Sequence, residues 1–126
     1  MKIRSCSLLA LLFVGCGCAS VTVTRFGGPA HPAASSHIDI YTDPSAIERP
    51  YRAIALIIVD NRESAPWGTN QEQPLIQKAV ARARSLGADG IIIHPTEHIP
   101  PNLPGDGSYN SAPGTVVHAS AIVYTR

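Results

Sequence analysis

His94, Glu97 and His98 fall within five residues, in the run HPTEH. Imidazole and carboxylate are zinc-type ligands, and His118 is a further imidazole that could complete the shell. The spacing alone does not close such a site. On a helix, positions 94 and 98 would share a face, but Pro95 opposes a helix there. On an extended strand their side chains would stand more than about 10 Å apart, so only a turn through Pro95-Thr96 would bring them together. A periplasmic metal-binding protein using His94, His98 and His118 is therefore the alternative reading, beside two exposed histidines at the end of a strand. A hydrolytic set can be assembled on paper from Ser108, His98 and Asp106, but no nucleophile-elbow sequence accompanies it. Gly105-Asp106-Gly107 has no strand signal before it and no helix signal after it, so it reads as a turn and not as a phosphate loop. The expectation is a non-enzyme with no cofactor.

Cys16 carries the most specific chemistry. Lys2 and Arg4 form a short positive segment, and Ser7 to Val14 (SLLALLFV) is a brief apolar one. A bilayer span needs about 20 residues, so this pairing reads as a signal peptide. Phe13-Val14-Gly15-Cys16 then resembles a bacterial lipobox, with a small residue directly before the cysteine. That resemblance implies cleavage after Gly15 and acylation of Cys16, with the bilayer as first partner. Gly17 follows, where an Asp would imply inner-membrane retention, so the resemblance implies an outer-membrane address with the domain in the periplasm. Of the 3 cysteines, Cys6 leaves with the signal and Cys16 takes lipid, so Cys18 has no partner in the chain and the domain holds no disulfide.

The charge balance argues against nucleic acid. Cleavage after Gly15 removes two of the 10 basic groups, leaving 8 against 9 acidic ones, and no basic face is visible. Trp67, the single tryptophan, and Tyr109 sit in two long polar stretches. Loops on a rigid scaffold often carry binding, so these two are the candidate interaction residues, toward envelope proteins or a second copy.

The elements that must position these groups follow from periodicity. Residues 16–36 read as lipidated cysteine and flexible tether. They include the stretch FGGPAHPAASS, which buries too little to offset its ordering entropy. Val21-Thr22-Val23-Thr24 alternates, but the expectation is that it stays in the tether. The domain runs over 37–126. Ile38 to Tyr41 alternates as a strand, closed by Asp43-Pro44. Arg52 to Asp60 (RAIALIIVD) is almost continuously apolar, which predicts a central strand buried on both faces. Leu75, Ile76, Ala79, Val80, Ala83 and Leu86 share one face of a helix that starts near Gln73 and stops at Gly87. Gly90 to His94 is the next strand, and Glu97 to Gly114 a long loop. Thr115 to Tyr124 is an alternating strand, with Val117, Ala119, Ala121 and Val123 on one side and His118, Ser120, Ile122 and Tyr124 on the other. The fold class expected is α+β: a four-stranded mixed sheet in the order strand, strand, helix, strand, strand, with one amphipathic helix on one face.

Ala79 to Ile93 (AVARARSLGADGIII) resembles a pattern in small bacterial domains whose helix ends A-x-x-L-G-A-D before a strand. Asp43-Pro44 and Pro50 to Ala55 resemble the first turn and second strand of the same domains. These are the stress-sensor lipoprotein of the Rcs phosphorelay and a small oligomeric domain associated with heavy-metal binding. The resemblance spans roughly Ile38 to Tyr124 and implies the fold, with Gly87 as helix cap and Asp89 as a turn residue accepting backbone N–H bonds. This domain departs from the sensor in having no cysteine.

Overall fold

A computed structural model describes residues 19–28, 32, 37–61, 72–99 and 114–126. In chain order these form β1 (Ser20–Arg25), β2 (Asp39–Tyr41), a 3-10 turn (Pro44–Ala46), β3 (Tyr51–Asp60), α1 (Glu72–Ser85), β4 (Gly90–Ile93), β5 (Glu97–Ile99) and β6 (Gly114–Tyr124). The class is α+β as expected, but the sheet has six strands and not four. Its order is β1-β3-β6-β4-β2, with β5 also on β6. β2 and β4 run parallel and the other pairs antiparallel, so the sheet is mixed.

Both additional strands are corrections with a physical cause. β3 pairs with β6 along one edge, and its outer N–H and C=O groups need partners as well. β1 supplies them, in register from Ser20 opposite Asp60 to Arg25 opposite Ala55. The Val/Thr alternation placed in the tether is therefore an edge strand. β6 is 11 residues long and β4 only 4, so β4 leaves the first half of β6 uncovered along that edge. β5 fills the gap, placing Glu97 opposite Val116 and Ile99 opposite Gly114 inside what the sequence reads as loop.

The helix starts one residue before the expected position. Pro74 lies in its first turn, where a missing N–H breaks no helical bond. Its end follows the Schellman pattern. Gly87 takes φ 78°, the Gly87 N–H donates to Arg84 O at 3.0 Å, and the Ala88 N–H donates to Ala83 O at 3.1 Å. Leu75, Ala79 and Ala83 are buried against the sheet, with Ile76 and Val80 packed beside them. Small side chains at Ala79, Ala83, Ala55, Ala119 and Ala121, all essentially fully buried, let the helix backbone come close to β3 and β6.

The alternation of β6 holds as expected. Val117, Ala119, Ala121 and Val123 belong to the core under α1, and Ile122 is buried outside that cluster, on the opposite face. β3 is less symmetrical than its sequence predicts: Ala55, Ile57 and Val59 are buried, whereas Leu56 and Ile58 are only half-buried. The helix covers one face and no second helix covers the other among the described residues. Gly90 sits where a Cβ would lie 3.1 Å from Ile122 Cγ1, so a glycine here makes room for that buried isoleucine.

Asn61 secures the start of β6. Its backbone N–H donates to Thr115 O at 3.3 Å, and its side-chain Oδ1 accepts the Thr115 N–H at 2.8 Å, with both residues buried. Asn61→Ala would leave the Thr115 N–H buried without an acceptor. The expected cost is about 1–3 kcal/mol, read as a shift in the denaturation midpoint. Asn61→Ser, which keeps a side-chain oxygen, should cost less.

Candidate functional site

The face of the sheet away from α1 gathers the polar side chains. Cross-strand partners share a face, so β6 presents His118, Ser120, Ile122 and Tyr124 there, with Ile58 opposite His118 and Leu56 and Ile92 opposite Ser120. The His94 N–H donates to His118 O at 2.9 Å, which makes these two histidines neighbours just beyond the end of β4. His94 Nε2 lies 2.8 Å from Ser120 Oγ, and His118 Nε2 lies 3.7 Å from Glu97 Oε2.

His98 goes the other way. It pairs with Thr115, on the opposite face from His118, and its Nδ1 is 3.4 Å from Thr115 Oγ1. The three imidazoles expected to share a metal are therefore divided between two faces. The reason is the strand β5 itself: in a strand, Glu97 and His98 must point to opposite sides. Among the described residues no three His, Cys, Asp or Glu side chains converge on a cation. Stoichiometric zinc, copper or nickel is expected to leave the thermal midpoint unchanged. A rise that His94→Ala or His118→Ala abolishes would support a metal role.

Of the paper triad, only His98 is described; Ser108 and Asp106 lie outside the described residues, as do Trp67, Tyr109 and Cys16. The contact between His94 and Ser120 has the distance of a base and a nucleophile, and no motif marks it in the sequence. Ser120 lies mid-strand, however, and is laddered to Leu56 on one side and Ile92 on the other. A ladder directs backbone N–H groups into the sheet and not toward a common point above it, so Ser120 has no oxyanion-type donor pair from its own strand. The contact ties β4's exit to β6.

A second cluster forms at the far end of β6. Tyr124 Oη donates to Asp39 Oδ2 at 2.5 Å. Tyr124 Oη also lies 2.8 Å from Tyr41 Oη; because its one proton is already committed to Asp39, Tyr41 is the donor. The Arg49 guanidinium stands 5.2 Å from the centroid of the Tyr124 ring, a cation–π distance. Asp89 Oδ2 accepts the Tyr124 N–H at 3.0 Å, so Asp89 does accept a backbone N–H, though from β6 and not from its own turn. This set links β2 to β6 across β4.

Electrostatics reinforce the hydrogen bonds of the cluster. The hydrogen bond from Tyr124, then the neighbouring His37 and Arg49, hold the Asp39 carboxyl below its usual range. Burial, then the bonds to Asp39 and Tyr41, push the Tyr124 phenol well above its usual value, so it stays protonated. The two shifts have opposite linkage. The Tyr124 contribution is complete below its unfolded value near pH 10 and is lost as pH rises beyond that. The Asp39 contribution is present above the unfolded value near pH 4 and is lost as pH falls below it. Thermal midpoints are expected to fall from about pH 10 upward, and less steeply for Tyr124→Phe than for the unaltered chain. Equal slopes would place the alkaline loss elsewhere.

No family model, no curated protein and no solved structure matches this chain.

Proposed function

We propose that the chain is exported and held at a bilayer by acylated Cys16, and that its domain acts there as a non-catalytic interaction or sensor module of the bacterial envelope, at the periplasmic side of the outer membrane. One observation carries this reading: Phe13-Val14-Gly15-Cys16 stands directly behind a positive and then an apolar segment, with the small residue immediately before the cysteine. A further feature supports it. The described polar clusters tie strands together and offer no convergent donors for catalysis. No helix among the described residues is long and apolar enough to cross a membrane. Two or more acyl chains hold a protein stably where a single one does not, because each buried methylene contributes about 0.8 kcal/mol.

Intact mass of the protein isolated from its own cells tests the proposal. The expected species begins at Cys16 and carries a diacylglyceryl group with or without an N-acyl chain. An unprocessed Met1 start, or a mature N-terminus with no fatty acid, overturns it.

A further inference from the structure

We propose that the groove between β1 and α1 is the surface by which this domain lies against anionic phospholipid. The proposal rests on the reading that Cys16 is acylated, and it adds an orientation and a lipid preference to it.

The groove exists because the helix does not reach the edge of the sheet. α1 packs over β3, β6 and β4, and its flank toward β1 is left open. The resulting depression, about 410 Å³, is lined by Val21, Lys78, Ala81, Arg82 and Ser85. Val21 is 40% exposed, which is unusual for a valine on a sheet face directed toward the helix. Lys78 and Arg82 are one helical turn apart and so stand on the same side. Arg25 shares the Val21 face of β1, two steps of the strand alternation further on. The lining contains no carboxylate. A mature chain with 8 basic and 9 acidic groups has no general excess of cations, so this is a local concentration of them around an apolar floor. An apolar strip flanked by Lys and Arg is the composition that seats at the boundary of acyl chains and anionic headgroups.

Chain length makes the same surface the one that meets the bilayer. β1 begins at Ser20, four residues after Cys16, and four extended residues span at most about 14 Å. The tether expected over 16–36 is thus reduced to three residues before the fold begins, and the Ser20 end of β1 stays within about 14 Å of the anchored cysteine. Ser20 pairs with Asp60, so one carboxylate lies at the end of β1 nearest the anchor, and Glu72 opens α1 at that same end. An upright β1 would press those acids toward the lipid. With β1 lying along the membrane plane and the groove turned toward the lipid, Lys78 and Arg82 face the headgroups, with Arg25 further along the same face of β1. A second copy pairing along the edge of β1 that is unpaired among the described residues is the competing occupant, and apposing two grooves that each carry Lys78 and Arg82 is disfavoured by charge.

The test uses the full lipidated protein in a Cys18→Ser background, with an environment-sensitive fluorophore on Ala81→Cys. It is reconstituted into phosphatidylcholine vesicles with or without about one third phosphatidylglycerol. Quenching by brominated acyl chains is expected only in the phosphatidylglycerol vesicles. It should be lost in Lys78→Glu/Arg82→Glu, and weakened by about 1 M salt, where the screening length is about 3 Å. Both positions are on the surface of α1, and an unchanged thermal midpoint certifies that the variant folds. Equal quenching in both vesicle types, or none in either, overturns the proposal. So does quenching that survives charge reversal, or disulfide crosslinking between copies through Thr22→Cys that excludes lipid. If mass shows Cys16 without acyl chains, the anchor reading fails by itself. Sedimentation of the unlipidated full chain with the two vesicle types then still decides whether the groove prefers anionic lipid.

Discussion

Ile57→Ala is expected to lower the unfolding free energy by about 2–5 kcal/mol, the cost of cutting a large, fully buried side chain back to its Cβ. Ile57 is completely buried in β3, between Val23 of β1 and Ala119 of β6 in the ladder, on the face that α1 covers. Part of the cost is the lost transfer of the side chain from water. The rest depends on how far the surroundings can close over the cavity. Here they can close little, because the neighbouring core positions Ala79, Ala83, Ala55, Ala119 and Ala121 are alanines, whose short side chains cannot reach into the space left. Ile58→Ala, on the half-buried face one residue along, should cost clearly less. Denaturant titrations give both numbers, and an Ile57 value no greater than that of Ile58 would contradict this account of the core.

Cys16→Ser is expected to abolish attachment through lipid, so that any chain freed of its signal segment leaves the membrane fraction. Acyl burial accumulates at about 0.8 kcal/mol per methylene, so losing the chains removes far more binding than the three cations Lys78, Arg82 and Arg25 could restore. Fractionation and intact mass should show either an uncleaved precursor or a lipid-free product. Cys18→Ser should fractionate like the unaltered protein. A Cys16→Ser chain that remains in the membrane fraction at the unaltered level with its signal removed would dismiss the anchor reading.

The separation of His94, His98 and His118 shows why the candidate site was only partly legible. The nearness of His94 and His98 in sequence suggested a shared ligand that His118 could complete, whereas position in space depends on which strand each occupies and on its parity there. β5 has only three residues, Glu97–Ile99, following Pro95, and no local propensity marks it as a strand. It exists because β6 has an open edge, and that pairing decides where His98 points. The Asp39–Tyr124–Tyr41 cluster was invisible for the same reason. Its members are 83 and 85 residues apart and meet only because β2 and β6 flank β4.

Local rules and the amino-acid pattern alone determined α1, with its proline in the first turn and its left-handed glycine stop, the four strands β2, β3, β4 and β6, and the inward and outward sides of β6. Each of these is encoded within about a dozen neighbouring residues, through helical or two-residue periodicity and backbone restrictions at Gly and Pro. The tertiary structure decided the rest: β1 and β5 as edge strands, the order of the sheet, the division of the histidines, and the open flank of α1 with its two cations. These depend on backbone groups far apart in the chain finding partners, and a strand carries no local mark of which neighbour will supply them.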